Sequence, residues 1–183
     1  MTHQLPHTIE NCVGEKIIFQ AIEKTSQGDK VTLEAFCKKG CGPAMHTHFK
    51  QEEELTVLSG KMGYQLFGEE PKYANAGDTV LFKRGVAHKF WAEGNDDLHC
   101  KGWIMPANTI VFFLSALYAA QNKSCTSEPE TFDGAYLMTR YSAEYDIPEI
   151  PAFVKKTIIP LTYQIGRVLG KYKHFESAPE PLK

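Results

Sequence analysis

One stretch of the chain, residues 40–88, combines three histidines and a glutamate with regularly placed glycines. It contains, in order, Gly40, His46, His48, Glu53, Gly60, Gly77, Asp78, Gly85 and His88. Imidazole nitrogens together with one carboxylate bind a single divalent metal ion and leave coordination positions open for a small ligand. This set constrains the fold strongly, because segments that are far apart in sequence must bring four side chains to one point.

Short β-rich runs separated by turn signals surround these residues. The first two runs, residues 16–22 and 31–36, are joined by a Ser-Gln-Gly-Asp turn, and further runs cover 55–67, with a break at Ser59-Gly60, then 79–82, 88–91 and 98–104. Short strands at this spacing predict an antiparallel sheet that closes into a barrel or a sandwich.

Strand geometry explains how the four side chains could converge. Residues two apart on a strand point to the same face, so His46 and His48 would face one spot. Glu53 would come from the next strand and His88 from a distant one. The remaining histidines, which are His3, His7, His99 and His174, are predicted to be structural or exposed.

The composition changes after Pro106, where helical patterns replace the strands. Residues 110–120 predict a buried helix that is too short for a bilayer, which needs about 20 residues. A second helix is predicted over 135–145, and an amphipathic helix over 152–173 that Pro160 interrupts near Thr157. We expect a β-barrel domain over residues 1–105 and a helical extension over 106–183 that packs on the barrel or on a partner subunit.

Charge and cysteine content limit which partners the protein can bind and indicate its cellular compartment. Lys and Arg number 20 against 22 Asp and Glu, so no basic field exists to hold nucleic acid. Residues 1–10 are polar and lack the apolar run of a secretory signal, which predicts a cytoplasmic protein. The five cysteines are an odd number and are expected to be reduced thiols. Cys37 and Cys41 form a weaker alternative zinc pair.

The sequence resembles a cupin. The first cupin motif is matched by Gly40, His46, His48, Glu53 and Gly60, and the second by Gly77, Asp78, Gly85 and His88. Two positions depart from the motif, with Lys83 where the family usually has Pro and Ala92 where it usually has Asn. The resemblance covers about residues 16–104, and more narrowly it extends to single-domain bacterial cupins of unassigned chemistry. It implies a mainly β, antiparallel jelly-roll barrel with a C-terminal helical extension and a metal held by His46, His48, Glu53 and His88.

Two neighbouring glutamates, Glu52 and Glu53, could be the acidic ligand. The family tolerates three or four residues between the second His and the Glu, which allows Glu52 or Glu53, and six residues before Gly60 favour Glu53. Strand alternation then places Gln51 on the side of Glu53, where its amide could bind a ligand or orient a metal-binding residue. Tyr64 and Phe90 are predicted to line a mostly apolar pocket.

The resemblance implies the fold and not the reaction. We expect one divalent metal ion (Fe, Mn, Ni or Zn), a small-molecule ligand, no transmembrane segment and a homodimer. The first hypothesis is a metal-dependent enzyme, a dioxygenase, isomerase or decarboxylase, that acts on a small oxygenated organic molecule. The alternative is a non-catalytic small-molecule binding or sensing module. No residue is identified as a catalytic acid or base.

Overall fold

We describe the fold from a computed structural model, which covers residues 4–182; His3 and the rest of residues 1–3 lie outside it, as does Lys183. The strands are β1 (His7–Glu10), β2 (Glu15–Thr25), β3 (Gly28–Cys37), β4 (Thr47–His48), β5 (Glu52–Ser59), β6 (Lys61–Leu66), β7 (Lys72–Asn75), β8 (Thr79–Phe82), β9 (His88–Ala92), β10 (Leu98–Met105) and β11 (Tyr145–Asp146).

The strands form three antiparallel sheets. The largest has the order β1-β2-β3-β10-β5-β8, the second has the order β7-β6-β9, and the third pairs β11 with β4. Side chains of the first two sheets, such as Phe19 and Leu55 from one and Met62 and Phe90 from the other, share one buried core. This arrangement confirms the predicted jelly-roll fold, although the hydrogen bonds form separate sheets rather than one closed barrel.

Local sequence sets the main features of these sheets. In β3 the alternating residues Val31, Leu33, Ala35 and Cys37 are buried, which gives the large sheet its inner face. Gly60 adopts a φ of 78° between β5 and β6, a conformation that favours glycine. The break predicted at Ser59-Gly60 is therefore where the chain leaves the six-stranded sheet and enters the three-stranded one.

Three α-helices follow β10, and β11 lies between the second and the third. They are α1 (Ile110–Ser124), α2 (Thr131–Arg140) and α3 (Ile159–Val168), with a π-helical segment (Val154–Ile158) before α3 and a 3-10 turn (Lys173–Phe175) after it. The predicted second helix was placed too late, because the Glu130 carboxylate accepts hydrogen bonds from the backbone N–H groups of Phe132 and Asp133 and starts α2 there. The interruption predicted near Thr157 is confirmed as the π-helical segment that precedes Pro160.

The helices occupy two different environments. Helix α1 contributes buried residues to the core, whereas α3 packs on α2 and leaves most of its apolar stripe exposed. Leu161, Ile165 and Val168 are 56%, 47% and 87% exposed, respectively. Within residues 4–182, no helix combines the length and apolar character needed to cross a membrane.

Candidate functional site

Four side chains from separate elements meet at one point inside the fold. His46, His48, Glu53 and His88 each offer one potential ligand atom, and these atoms all lie within 4.8 Å of one another. Glu53 comes from the six-stranded sheet, His88 from the three-stranded sheet and His48 from the two-stranded one. The cluster therefore lies where the three sheets meet.

Backbone hydrogen bonds hold the histidine-bearing segments together. His46 and His88 exchange backbone N–H to carbonyl bonds of 2.9 and 2.8 Å, which bring their ring centroids to 4.4 Å. Gly85, with a φ of 77°, donates its N–H to the carbonyl of His48 at 2.7 Å. Phe82 stacks on the His88 ring with centroids 4.1 Å apart. The side chains are thus held in place before any ligand binds.

In two of the histidines, the Nδ1 ring nitrogen forms a hydrogen bond with the main chain. His46 Nδ1 lies 2.8 Å from the carbonyl oxygen of Ala44, and His88 Nδ1 lies 2.9 Å from that of Val86. A carbonyl only accepts hydrogen bonds, so each Nδ1 carries a proton, and Nε2 is the ring nitrogen left to serve as a metal ligand. This is the second contact that metal-binding histidines usually make.

Burial sets the charge state of the cluster. It lowers the pKa of His46 to about 3 and that of His48 to about 4, so both rings are neutral at neutral pH. Burial acts in the opposite direction on Glu53, but the hydrogen bond from His88 and the neighbouring imidazoles lower its pKa to about 2. The ionised carboxylate accordingly lies beside the neutral rings of His46 and His48.

These donors fit a divalent cation. Glu53 Oε2 lies 3.3 Å from Nε2 of His88 and 3.9 Å from Nε2 of His48. An ionised carboxylate with three ring nitrogens around it is a donor set that a positive charge would stabilise. In addition, Nδ1 of His48 is buried and has no hydrogen-bond partner among the described residues. Three nitrogens and one oxygen form a donor set suited to Fe, Mn, Ni or Zn.

A cavity of about 150 Å³ opens beside the cluster. One wall is the inner face of the large sheet together with His46, His48 and Glu53, and the other wall is formed by α1 and α2. Ile110, Phe113 and Leu117 of α1 contribute apolar side chains to it. A mostly apolar, half-enclosed space next to polar convergent groups is the usual form of a small-molecule site.

Some of the predicted pocket residues line the cavity and others do not. Phe90 lines the cavity, whereas, of the residues that the structure describes, neither Gln51 nor Tyr64 does. Tyr64 packs edge-on against Phe82 instead, with ring centroids 6.1 Å apart. Glu52 points to the surface, where its Oε1 lies 3.7 Å from Nε of Arg84. Of the two candidate glutamates, Glu53 is therefore the one that joins the histidines of the cluster.

Gln51 belongs to a buried polar network that connects the sheet to the helical region. Its amide nitrogen donates to Glu144 at 2.8 Å and to the Tyr145 hydroxyl at 3.1 Å. Thr109 donates to the other oxygen of Glu144 at 2.9 Å. Tyr145 pairs with His48 across the two-stranded sheet, so this network supports the strand that carries a cluster residue.

Two polar cavity residues were missed by sequence reasoning. Glu15 is the first residue of β2 and Tyr118 lies on α1, and the tyrosine hydroxyl donates to Glu15 Oε2 at 2.9 Å. The two-residue period of Glu15, Ile17 and Phe19 could have revealed that Glu15 faces inward. No local signal places Tyr118 beside it, because they are 103 residues apart.

Comparisons with known proteins agree with the fold. Residues 33–105 match the cupin domain family. The curated protein "Probable oxidoreductase virH" of Hypocrea virens is 31% identical over 67 residues, which cover 36% of this chain and 31% of that protein. The match thus spans about a third of the relative's length.

Two solved structures are similar to parts of this chain. An RmlC-like cupin from Shewanella frigidimarina is 15% identical, with a TM-score of 0.49, and the alignment covers 61% of this chain and 93% of that one. A protein with a double-stranded β-helix domain from Klebsiella pneumoniae is 23% identical, with a TM-score of 0.43 and coverage of 50% and 78%. Similarity at this level carries no information about the reaction.

Proposed function

Residues 33–105 match the cupin domain family, and on that premise we propose that the chain is a metal-dependent oxidoreductase acting on a small oxygenated organic molecule. His46, His48, Glu53 and His88 would hold one divalent ion. The observation that carries the proposal is the convergence of their four ligand atoms within 4.8 Å at the wall of an apolar cavity.

A bound divalent ion would supply a Lewis acid with open positions for substrate oxygen atoms. The chain itself contributes orientation and exclusion of water. The carbonyl of Val86 and the ring of Phe82 fix the His88 imidazole, so little reorganisation accompanies ligand binding. Apolar side chains of α1 cover the cavity and shield the bound molecule from solvent, which favours catalysis over simple retention.

The reaction class is supported by one relative. The matched protein of Hypocrea virens is named a probable oxidoreductase, which favours an oxidation–reduction reaction over isomerisation or decarboxylation among the reactions open to this donor set. The alternative, a non-catalytic binding module, shares the same site and differs only in whether turnover occurs.

Metal analysis tests the site. Protein purified without chelators is expected to contain about one divalent ion per chain, and the double variant His46→Ala, His88→Ala is expected to lose most of it. His99→Ala is the matched control, because His99 binds Glu34 on the outer side of the sheet, at 2.7 Å. Retention of one ion per chain by the double variant would refute the assigned ligands.

Oxygen consumption tests the reaction. The iron-loaded protein is mixed with a panel of catechols and enolised diketones, and uptake of oxygen is followed with and without each compound. Substrate-dependent uptake that the His46→Ala, His88→Ala variant lacks would support the oxidoreductase. Tight binding of a panel compound without turnover under any of the four metals would instead establish the binding module.

A further inference from the structure

Glu15 is a buried carboxylate on the inner face of the large sheet. Only 6% of its surface is exposed, and it lies opposite Cys37 of β3 in the strand register. Its side chain accepts a hydrogen bond from Tyr118, and within residues 4–182 no Lys, Arg or His side chain forms an ion pair with it. A carboxylate in this position is costly to bury, because its charge is not neutralised by a cation.

Glu15 and Glu53 lie on the same face of one sheet and line the same cavity. Both line the cavity, Glu15 at the β2 side and Glu53 at the β5 side, with β3 and β10 between their strands. Tyr118 also lines the cavity, and the charges of both carboxylates contribute to raising the pKa of its hydroxyl, after burial. The cavity therefore has two acidic points with apolar walls between them.

We propose that Glu15, positioned by Tyr118, is a second binding point that accepts a hydrogen bond from a hydroxyl or ammonium group of the molecule bound at the metal cluster. The inference rests on the proposed function for the metal-binding end of that molecule. It assigns the substrate class as a compound with an oxygen-bearing chelating head, an apolar body and a hydrogen-bond donor at its other end.

The surroundings of Glu15 favour this role over a purely structural one. Its backbone N–H is satisfied by Asn11 Oδ1 at 2.9 Å, and the Asn11 amide is engaged with Gln121 at 2.9 Å. Burial raises the pKa of Glu15, while Tyr118, which donates to Oε2, and the Asn11 side chain act in the opposite direction. A helix-to-sheet tie would need only an amide or hydroxyl at this position, whereas a carboxylate adds acceptor capacity and charge that a ligand donor can use.

Three matched probes test the inference: 4-propylcatechol, 4-(3-hydroxypropyl)catechol and 4-(3-aminopropyl)catechol. Their affinities for zinc-loaded protein are measured by titration calorimetry, because zinc binds the catechol without redox chemistry. Wild type is expected to bind the hydroxyl or the amine compound about ten-fold more tightly than the propyl compound, as a hydrogen bond to a charged group requires. Equal affinities for all three would overturn the proposal.

Variants of Glu15 connect that preference to this residue. Glu15→Met is expected to abolish it, and Glu34→Gln, a carboxylate on the outer face of the same sheet, is expected to preserve it. Glu15→Gln distinguishes the two donors, since an amide can still accept from a hydroxyl but no longer attracts an ammonium group. If Glu15→Met does not fold, a ten-fold amine preference that Glu15→Gln leaves unchanged overturns the proposal.

Two further measurements separate this inference from the metal proposal. The zinc content of Glu15→Met is expected to equal that of wild type. Binding of 3-phenylpropylamine and 3-phenylpropanol, each compared with propylbenzene, is measured on metal-free protein by ligand-observed NMR. A Glu15-dependent preference for either donor compound in protein that binds no metal would sustain this inference while refuting the metal site. Normal metal content with no such preference would refute this inference and leave the metal site standing.

Discussion

Tyr145 lies edge-on to the imidazole of His48, with ring centroids 5.7 Å apart and an angle of 87° between the rings. The two residues are also directly opposite each other in the β4–β11 pair. A segment beyond the cupin domain match thus adds a strand to the one that carries a cluster histidine, so the helical region and the site are coupled.

The hydroxyl of Tyr145 should contribute to stability through this coupling. It bonds with Gln51 and Thr109, both at 3.1 Å, and Tyr145→Phe leaves these partners without it. We expect the variant to lower the free energy of unfolding by roughly 1 kcal/mol, measured by urea denaturation. Tyr73→Phe, at a half-exposed tyrosine, is the control, and an equal loss in both variants would contradict the role of the network.

The stability of the metal-free protein should fall as the pH is lowered from about 6.5. His46 and His48 have folded pKa values of about 3 and 4, against 6.5 in the unfolded chain, so the unfolded chain binds protons that the folded one does not. Glu53, lowered from 4.5 to about 2, extends the loss below pH 4.5. Urea unfolding between pH 5 and pH 7 measures the slope.

The variant His46→Gln, His48→Gln should flatten this dependence, because glutamine does not titrate. His99→Gln should leave it as in wild type. A slope that both variants share with wild type would show that other groups cause the acid sensitivity.

The cysteines should fall into fast and slow classes. Cys12 and Cys125 are exposed, whereas Cys37 and Cys100 are buried. Burial raises the pKa of Cys100 to about 12 and that of Cys37 above its ordinary range, so neither forms the reactive thiolate. Titration with a chromogenic disulfide should modify Cys12 and Cys125 first, with all five thiols reacting in denaturant. Uniform rates in the folded protein would be inconsistent with this packing.

Gly63 should tolerate no side chain. It is paired with Trp91 across β6 and β9, and a Cβ built on it would overlap with the indole ring. We expect Gly63→Ala to lower the free energy of unfolding by about 2 kcal/mol, since overpacking a rigid aromatic forces a shift. Adding Trp91→Leu should restore part of the loss. Calorimetric melting of the single and double variants measures this, and full stability of Gly63→Ala would rule the overlap out.

We propose that the homodimer expected from the sequence would form through α3. Its exposed apolar side chains include Leu161 and Val168, and they lie away from the cavity walls formed by α1 and α2. Lysine at both positions should convert a dimer to a monomer, measured by light scattering after gel filtration, since charged groups resist burial in an interface. Lys156→Glu is the control for a charge change alone. An unaltered mass for the double lysine variant would exclude this face.

The strand pattern and the four cluster residues could be predicted from the sequence. Three features follow from patterns within a few residues: the alternating burial in β3, the turn at Gly60, and the choice of Glu53 over Glu52. Strand alternation and the backbone freedom of glycine both act at this short range. The start of α2 was missed because Glu130, not a later residue, caps it. Gln51 is buried like Glu53, but it precedes β5 and its partner, Glu144, could not be known from the sequence.

The sequence by itself determined which residues could bind a metal and roughly which strands carry them, since the motif spacing and the two-residue period are local. Only the tertiary structure decided that α1 and α2 line the cavity beside the cluster, that Tyr145 pairs with His48, and that Tyr118 meets Glu15. These contacts join segments about a hundred residues apart, and their geometry depends on how the whole core packs rather than on any local pattern.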